Sequence, residues 1–304
     1  MTDTDFQSNV IPLAAAEEHS GSGSVVRTFV SSDGYTHHFR HWNVPNARGI
    51  VVGVHGIQSH SEWYEYSSGA MAAAGYSVYF ADRRGSGLNS ALRGHADHGL
   101  RLINDVRQLI QMARDEHSQG TVPVTLMGIS WGGKIAAATA AAFPDDVDHL
   151  ILMYPGLVPK IRPSGFQRLQ LRMARDFDVR HRSVAIPLTD PGLFTDSRHW
   201  KNFIRSDRLA LHDVTSGFLN AGRDLDSLIS SHAEQIVHPT LMMLAGQDEI
   251  IDNAGTRQKV ATFGTRHLTQ ITWPLACHTL EFEDDRDTMI QALIQWLNNA
   301  SSGS

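Results

Sequence analysis

The chain has 304 residues, 41% of them hydrophobic and 19% charged, with a formal net charge of −6. That balance excludes a disordered or fibrous protein, and a net negative chain offers no clustered Lys and Arg excess for nucleic acid. With Cys277 as the single cysteine there is no intrachain disulfide, and no apolar run approaches the ~20 residues that span a bilayer.

Residues 1–24 have neither a basic start nor an apolar core. They read as a flexible lead-in rather than a signal peptide, and the chain is expected to be cytoplasmic. "VVRTFVS" (25–31) and "YTHHFRHW" (35–42), joined through "SDG", predict a hairpin. "GIVVGVH" (49–55) is a nearly unbroken apolar run, as in a strand buried on both faces of a parallel sheet. A helix over 63–74 and a strand over 76–82 follow. Residues 99–116 place Leu102, Val106, Leu109, Ile110 and Met112 near one helical face. "VPVTLMG" (122–128), an alanine-rich helix and "HLILMYP" (149–155) continue the alternation. It lapses over 157–237, then returns with a strand at 239–246, a helix at 253–263, a strand at 267–273 and a helix at 286–299. The prediction is an α/β fold with a mostly parallel central sheet flanked by helices. Its core is 25–156 plus 238–299, and 157–237 forms an inserted helical cap.

Gly128-Ile129-Ser130-Trp131-Gly132 fits G-x-S-x-G, between an apolar β run and a helix-forming run. At such a corner the glycines allow close backbone approach and the serine is lifted out at the carboxyl end of the sheet. The plain alternative is a tight strand–helix turn with an incidental serine. The Trp131 amide is a candidate oxyanion donor, and the Ile57 amide, just after His55-Gly56, is the second. His55 is expected to brace that loop. A neutral hydroxyl needs a base, and in the chain order Ser, Asp, His the candidates are Asp248 and His278, both just past strand ends. Glu249 and Asp252 are rival acids, Asp252 the more serious. His95-x-Asp97-His98 lacks a third ligand at metal-site spacing, so a solvated loop is the reading there. Cys277 is expected to be a small buried hydrophobe. No metal or cofactor is called for.

These residues resemble the α/β-hydrolase superfamily, in its monoacylglycerol lipase/lysophospholipase-like branch. His55, Gly56, His60, Ser61 and Tyr64 match H-G-x-x-x-H-S-x-x-Y. "ADRRGSGLNS" (81–90) is similar to D-x-x-G-x-G-x-S through Asp82, Gly85, Gly87 and, one place late, Ser90. "GISWGGK" corresponds to the nucleophile elbow and "HTLEFE" to the histidine loop. Ser59 stands where that branch has Glu. Arg83-Arg84 and Ser86 replace a His-containing loop. Trp131 is reminiscent of proline iminopeptidases, but "HGIQSH" lacks their Gly-Gly-Pro loop.

The resemblance implies an α/β-hydrolase fold and a cofactor-independent serine hydrolase of carboxylic esters. It would act through an acyl-enzyme on a lipid-like acyl group, a lysophospholipid or monoacylglycerol. An amide or thioester hydrolase, or an acyltransferase, is the alternative within the fold; a non-catalytic ligand receptor is the alternative outside enzymes. In the insertion, Phe166, Leu169, Met173 and Phe177 fall near one helical face, with Arg168, Arg172 and Arg175 elsewhere. Residues 157–237 hold 12 Lys/Arg against 9 Asp/Glu, a net +3, while the rest of the chain carries a net −9. One reading is an acyl-chain slot beneath a surface that touches membranes or micelles. The plainer one is a helix packed on the core. His60, Phe166, Leu169, Met173 and Phe218 are the candidate substrate contacts, and Leu219 is a further residue that could reach the pocket.

Overall fold

Where a strand has neighbours on both faces it can be apolar along its whole length, and that rule organises the sheet. The computed structural model describes residues 23–117, 122–160 and 180–302. The expected hairpin is β1 (Val25–Val30) paired antiparallel with β2 (Thr36–Trp42). β3 (Gly49–Val54), β4 (Tyr76–Ala81), β5 (Val124–Ile129), β6 (His149–Met153) and, beyond an insertion, β9 (Thr240–Ala245) are buried at every residue. β10 (Leu268–Trp273) is half-open to solvent, as an edge strand can be. The eight strands run in the order β1-β2-β4-β3-β5-β6-β9-β10, and all pairings from β4 through β10 are parallel.

That order has a consequence for binding. From β3 the chain moves outward to β4 and then returns to β5 on the other side of β3. In open α/β sheets such a reversal leaves a crevice outside the carboxyl ends of the two central strands, where ligands bind. Residues 55–57 and 130 stand at those ends.

The helices are α1 (Glu65–Ala73), preceded by a 3-10 turn at Ser61–Tyr64, then α2 (Gly99–Glu116) and α3 (Gly132–Ala142). Between β6 and β9 lie a small antiparallel sheet of β7 (Ser183–Ala185) with β8 (Asp213–Thr215), and the helices α4 (Arg198–Ser206) and α5 (Ser216–Ser231). α6 (Asn253–Val260) and α7 (Arg286–Ser302) complete the chain. Although α5 falls inside the expected cap interval, it packs on α2 and α3, burying Phe218, Ala221, Leu225 and Ile229. Its spacing of small and large apolar residues suits a helix wedged against the alanine-rich α3. Among the described residues no helix is long and apolar enough to cross a membrane.

Only two residues separate β5 from α3, so the helix must start almost beneath the neighbouring strand. A Cβ at Gly132 would overlap the Val54 carbonyl oxygen and lie 2.6 Å from that of His55. Backbone atoms cannot swing aside as a side-chain tip can. Gly132→Ala is therefore expected to cost about 1–3 kcal/mol in a urea titration. An unchanged midpoint would mean that α3 can slide freely along β3.

Candidate active site

Ser130 occupies the left-handed region with φ 50°, a costly conformation for a side chain other than glycine. Its backbone is held there from both ends. The amide donates to Met153 at 3.0 Å, and the carbonyl accepts from Gly133 at 2.9 Å and Gly156 at 2.6 Å. The turn thus presents Oγ at the carboxyl end of β5.

His278 Nε2 lies 2.9 Å from Ser130 Oγ, and His278 Nδ1 lies 2.8 Å from Asp248 Oδ2. A carboxylate only accepts, so Nδ1 carries the proton and Nε2 offers its lone pair to the hydroxyl. The other Asp248 oxygen, Oδ1, accepts the amides of Ile250 at 2.8 Å and Ile251 at 2.9 Å. Burial alone would raise the Asp248 carboxyl, but attraction to His278 and these hydrogen bonds hold it below its usual range. Lys160 Nζ donates to the Asp248 backbone carbonyl. The imidazole is walled by the rings of Tyr154 at 4.8 Å and Phe194 at 5.9 Å. Of the rival acids, Asp252 caps α6 by accepting from Gly255 at 3.0 Å, and Glu249 is exposed.

The loop after β3 abuts this chain: a Cβ on Gly56 would sit 3.5 Å from Ser130 Oγ. Among the described residues, neither the Ile57 amide nor the Trp131 amide has a hydrogen-bond acceptor. His55 is fully buried, and burial pushes its imidazole well below the usual value, so it is neutral. Its Nδ1 donates to Gly56 O at 2.9 Å, and its Nε2 accepts from the Arg83 amide at 3.0 Å, with Ser86 Oγ also 3.0 Å from that nitrogen.

The remaining candidates divide. Phe166, Leu169 and Met173, with Phe177 and the three arginines beside them, lie outside the described residues. Phe218 is not a surface for substrate: it is wholly buried, and its ring stacks on Trp131 at 4.4 Å. Leu219, beside it, is partly buried against the core. His60 is also not free for substrate. It is buried, and its Nε2 pairs with Asp207 Oδ2 at 2.9 Å, an oxygen that Trp63 Nε1 also reaches at 2.7 Å. Both residues were attractive by chemistry and position, but sequence spacing does not reveal a partner 147 residues away. His95 bonds to Thr215 and Asp97. Cys277 is buried beside Asp196, and burial pushes its thiol up to about 12. Sequence reasoning missed Tyr154, Phe194 and the grip of Arg83 on the loop after β3. Only Arg83 had a visible signal, as an unusual basic residue in the "ADRRGSG" loop.

Residues 45–285 match the family described as serine aminopeptidase, S33. The chain belongs to this hydrolase family. The chain is 23% identical over 251 residues to a monoacylglycerol lipase of Mycolicibacterium smegmatis, covering 82% of this chain and 88% of that one. Its fold is similar to that of a soluble variant of monoglyceride lipase from Saccharomyces cerevisiae, with TM-score 0.82 at 18% identity over 92% and 96% of the two chains. The monoacylglycerol lipase of Paleococcus ferrophilus superposes with TM-score 0.76 at 22% identity over 88% and 99%. This S33-family protein is thus an α/β-hydrolase of the monoacylglycerol-lipase-like kind, with the fold of lipases and esterases.

The loop that carries His278 is anchored by Glu281, which is buried and accepts the Ser67 amide at 2.8 Å. Burial pushes its carboxyl from an ordinary 4.5 up to about 7, the hydrogen bonds from Ser67 opposing. The unfolded chain therefore releases this proton first. The contribution of Glu281 to stability is present below about 4.5, falls as pH rises through about 7, and is flat above. Glu281→Gln, which keeps an acceptor for Ser67, is expected to be more stable than the parent at pH 8 by up to about 3 kcal/mol, and nearly equal at pH 4. Urea titrations at the two pH values check this; equal gains at both would remove the carboxyl from the explanation.

Proposed function

We propose that the protein is a serine esterase that hydrolyses carboxylic esters with a lipid-like acyl group through an acyl-enzyme. The observation that carries this reading is the unbroken contact chain Asp248–His278–Ser130 at 2.8 and 2.9 Å. It ends on a hydroxyl beside two amides without acceptors, the combination that acyl transfer needs.

Ser130 Oγ attacks the acyl carbon while its proton passes to His278 Nε2. Asp248 fixes the tautomer and stabilises the imidazolium that forms. The carbonyl oxygen, now an anion, accepts from the Ile57 and Trp131 amides. As the tetrahedral species collapses, the C–O bond to the alcohol breaks and His278 returns the proton to the departing oxygen. Water then takes the alcohol's place. It gives a proton to His278 and attacks the acyl carbon, and Ser130 leaves with the proton restored. No cofactor enters these steps.

Monoacylglycerol is the substrate that the names of the relatives favour, lysophospholipid is the other substrate that the sequence resemblance implies, and the family's description as an aminopeptidase makes amides the comparison to run. Contact with lipid interfaces through the segment after residue 157 belongs to the same reading. Ester turnover is expected to rise along a p-nitrophenyl series from acetate to long acyl chains, and to exceed that of matched anilides. Monoacylglycerol and lysophosphatidylcholine are expected to be hydrolysed as well, faster once they aggregate. Ser130→Ala should lower kcat by about 10⁴–10⁶ and abolish fluorophosphonate labelling. Activity confined to acetate and butyrate would contradict the lipid substrate. A wild-type protein that takes no label would instead be a receptor.

A further inference from the structure

The loop Asp82–Gly87 brings a second basic group to the active-site crevice. Arg83 is buried, and its Nη2 donates to Gly56 O at 2.8 Å and to Ile57 O at 3.0 Å. Its guanidinium carbon also lies 5.2 Å from the ring centre of Trp131 and 5.1 Å from that of Phe218. One side chain therefore touches both residues whose amides lack acceptors. Arg84, its neighbour in sequence, is spent differently: it forms a two-pronged bond to Asp105, at 2.9 and 2.7 Å.

We infer that Arg83 is the positioning residue of the oxyanion site, setting the direction of the Ile57 amide through its own peptide group. The inference rests on the esterase reading above. The chain has no cis peptide bonds among its described residues, so the Gly56 carbonyl and the Ile57 N–H are antiparallel ends of one rigid plane. Arg83 and His55 both donate to the carbonyl end, and together they fix where the N–H points. The second bond, to Ile57 O, fixes the next plane and prevents the loop from rolling. On the opposite side, the stacked Phe218, Trp131 and guanidinium restrain the residue that carries the other amide.

A group serving only as structural filler would be expected to have its donors satisfied. Arg83 Nε and Nη1 are buried without a hydrogen-bond partner, and no carboxylate lies within ion-pair distance among the described residues. Leaving such donors unpaired is costly. Burial pushes the guanidinium down to about 9, against the attraction of Asp82, so it is still a cation at neutral pH. A positive charge with no carboxylate in contact, behind the Gly56–Ile57 peptide, favours the anion that develops in the transition state over the neutral ester. The effect should fall on kcat rather than KM.

The test compares Arg83→Met, which keeps length and stacking but not the donors, with Arg83→Lys, which keeps a charge and one donor head. Each is assayed for p-nitrophenyl ester turnover, for inhibition by a trifluoromethyl ketone whose adduct on serine mimics the oxyanion, and for urea stability. Arg83→Met is expected to lose about 10²-fold in kcat with KM nearly unchanged, and to lose trifluoromethyl ketone affinity in step with kcat/KM. Arg83→Lys should lie between it and the wild type on both readouts. The acid limb of the pH–rate profile should not move in either variant. Unchanged kcat in folded Arg83→Met overturns the inference, as does a kcat loss with ketone affinity intact. If only Arg83→Lys folds, the same two readouts decide on it; if neither folds, the residue is structural and the inference fails. Ser130→Ala in the same assay separates the two readings. If it turns over ester like the wild type, the esterase proposal falls; if it is dead while Arg83→Met is normal, only the role of Arg83 falls.

Discussion

The passage of α3 beneath the end of β3, with Gly132 against the Val54 and His55 carbonyls, is the constraint from which the site follows. A side chain there would push the helix away from the sheet. With the helix close, the chain must reverse direction within two residues, and Ser130 is forced into a left-handed conformation. That strain is outweighed locally by three backbone hydrogen bonds and by the packing of α3 on the sheet and α5. The same geometry brings the loop after β3 alongside the serine, because that loop starts from the carbonyls that Gly132 approaches. The corner serine and its neighbouring amides are thus two outcomes of one close contact.

Much of this was legible in the sequence, for a physical reason. Strands β3, β5, β6 and β9 are almost wholly apolar because both their faces are covered, and they stand out against helices with one-sided patterns such as α2. Ser130 and Asp248 could be picked because each closely follows the end of such a strand, and His278 because it follows the half-open edge strand β10; the parallel order gathers those ends on one rim. Asp252 was the serious rival. It is separated from Asp248 by its work as a cap for α6, which a composition argument cannot see.

What could not be read depends on contacts distant in the chain. His60 looked available until Asp207 closed on it, and Phe218 until Trp131 covered its face. The interval 157–237 looked uniform by its irregular pattern, yet α5 within it belongs against α2 and α3. Its burial depends on the small side chains of α3, a complementarity between surfaces rather than a periodicity. Arg83 was visible only as a departure from a loop pattern. The meaning of that departure lies in two carbonyls and a stacked ring that the linear chain does not juxtapose.

Whether hydroxyl, imidazole and carboxylate function as one relay comes down to a covalent bond on a named atom. Mixing the protein with an ester that deacylates slowly, quenching in acid and weighing the proteolytic peptides would reveal it. An acyl group is expected on the peptide containing Ser130, formed before the second product appears and absent when His278 is replaced by alanine. An acyl group found on another residue such as Cys277, or steady turnover with no protein-bound acyl group under the same quench, would contradict a serine nucleophile at the β5–α3 corner.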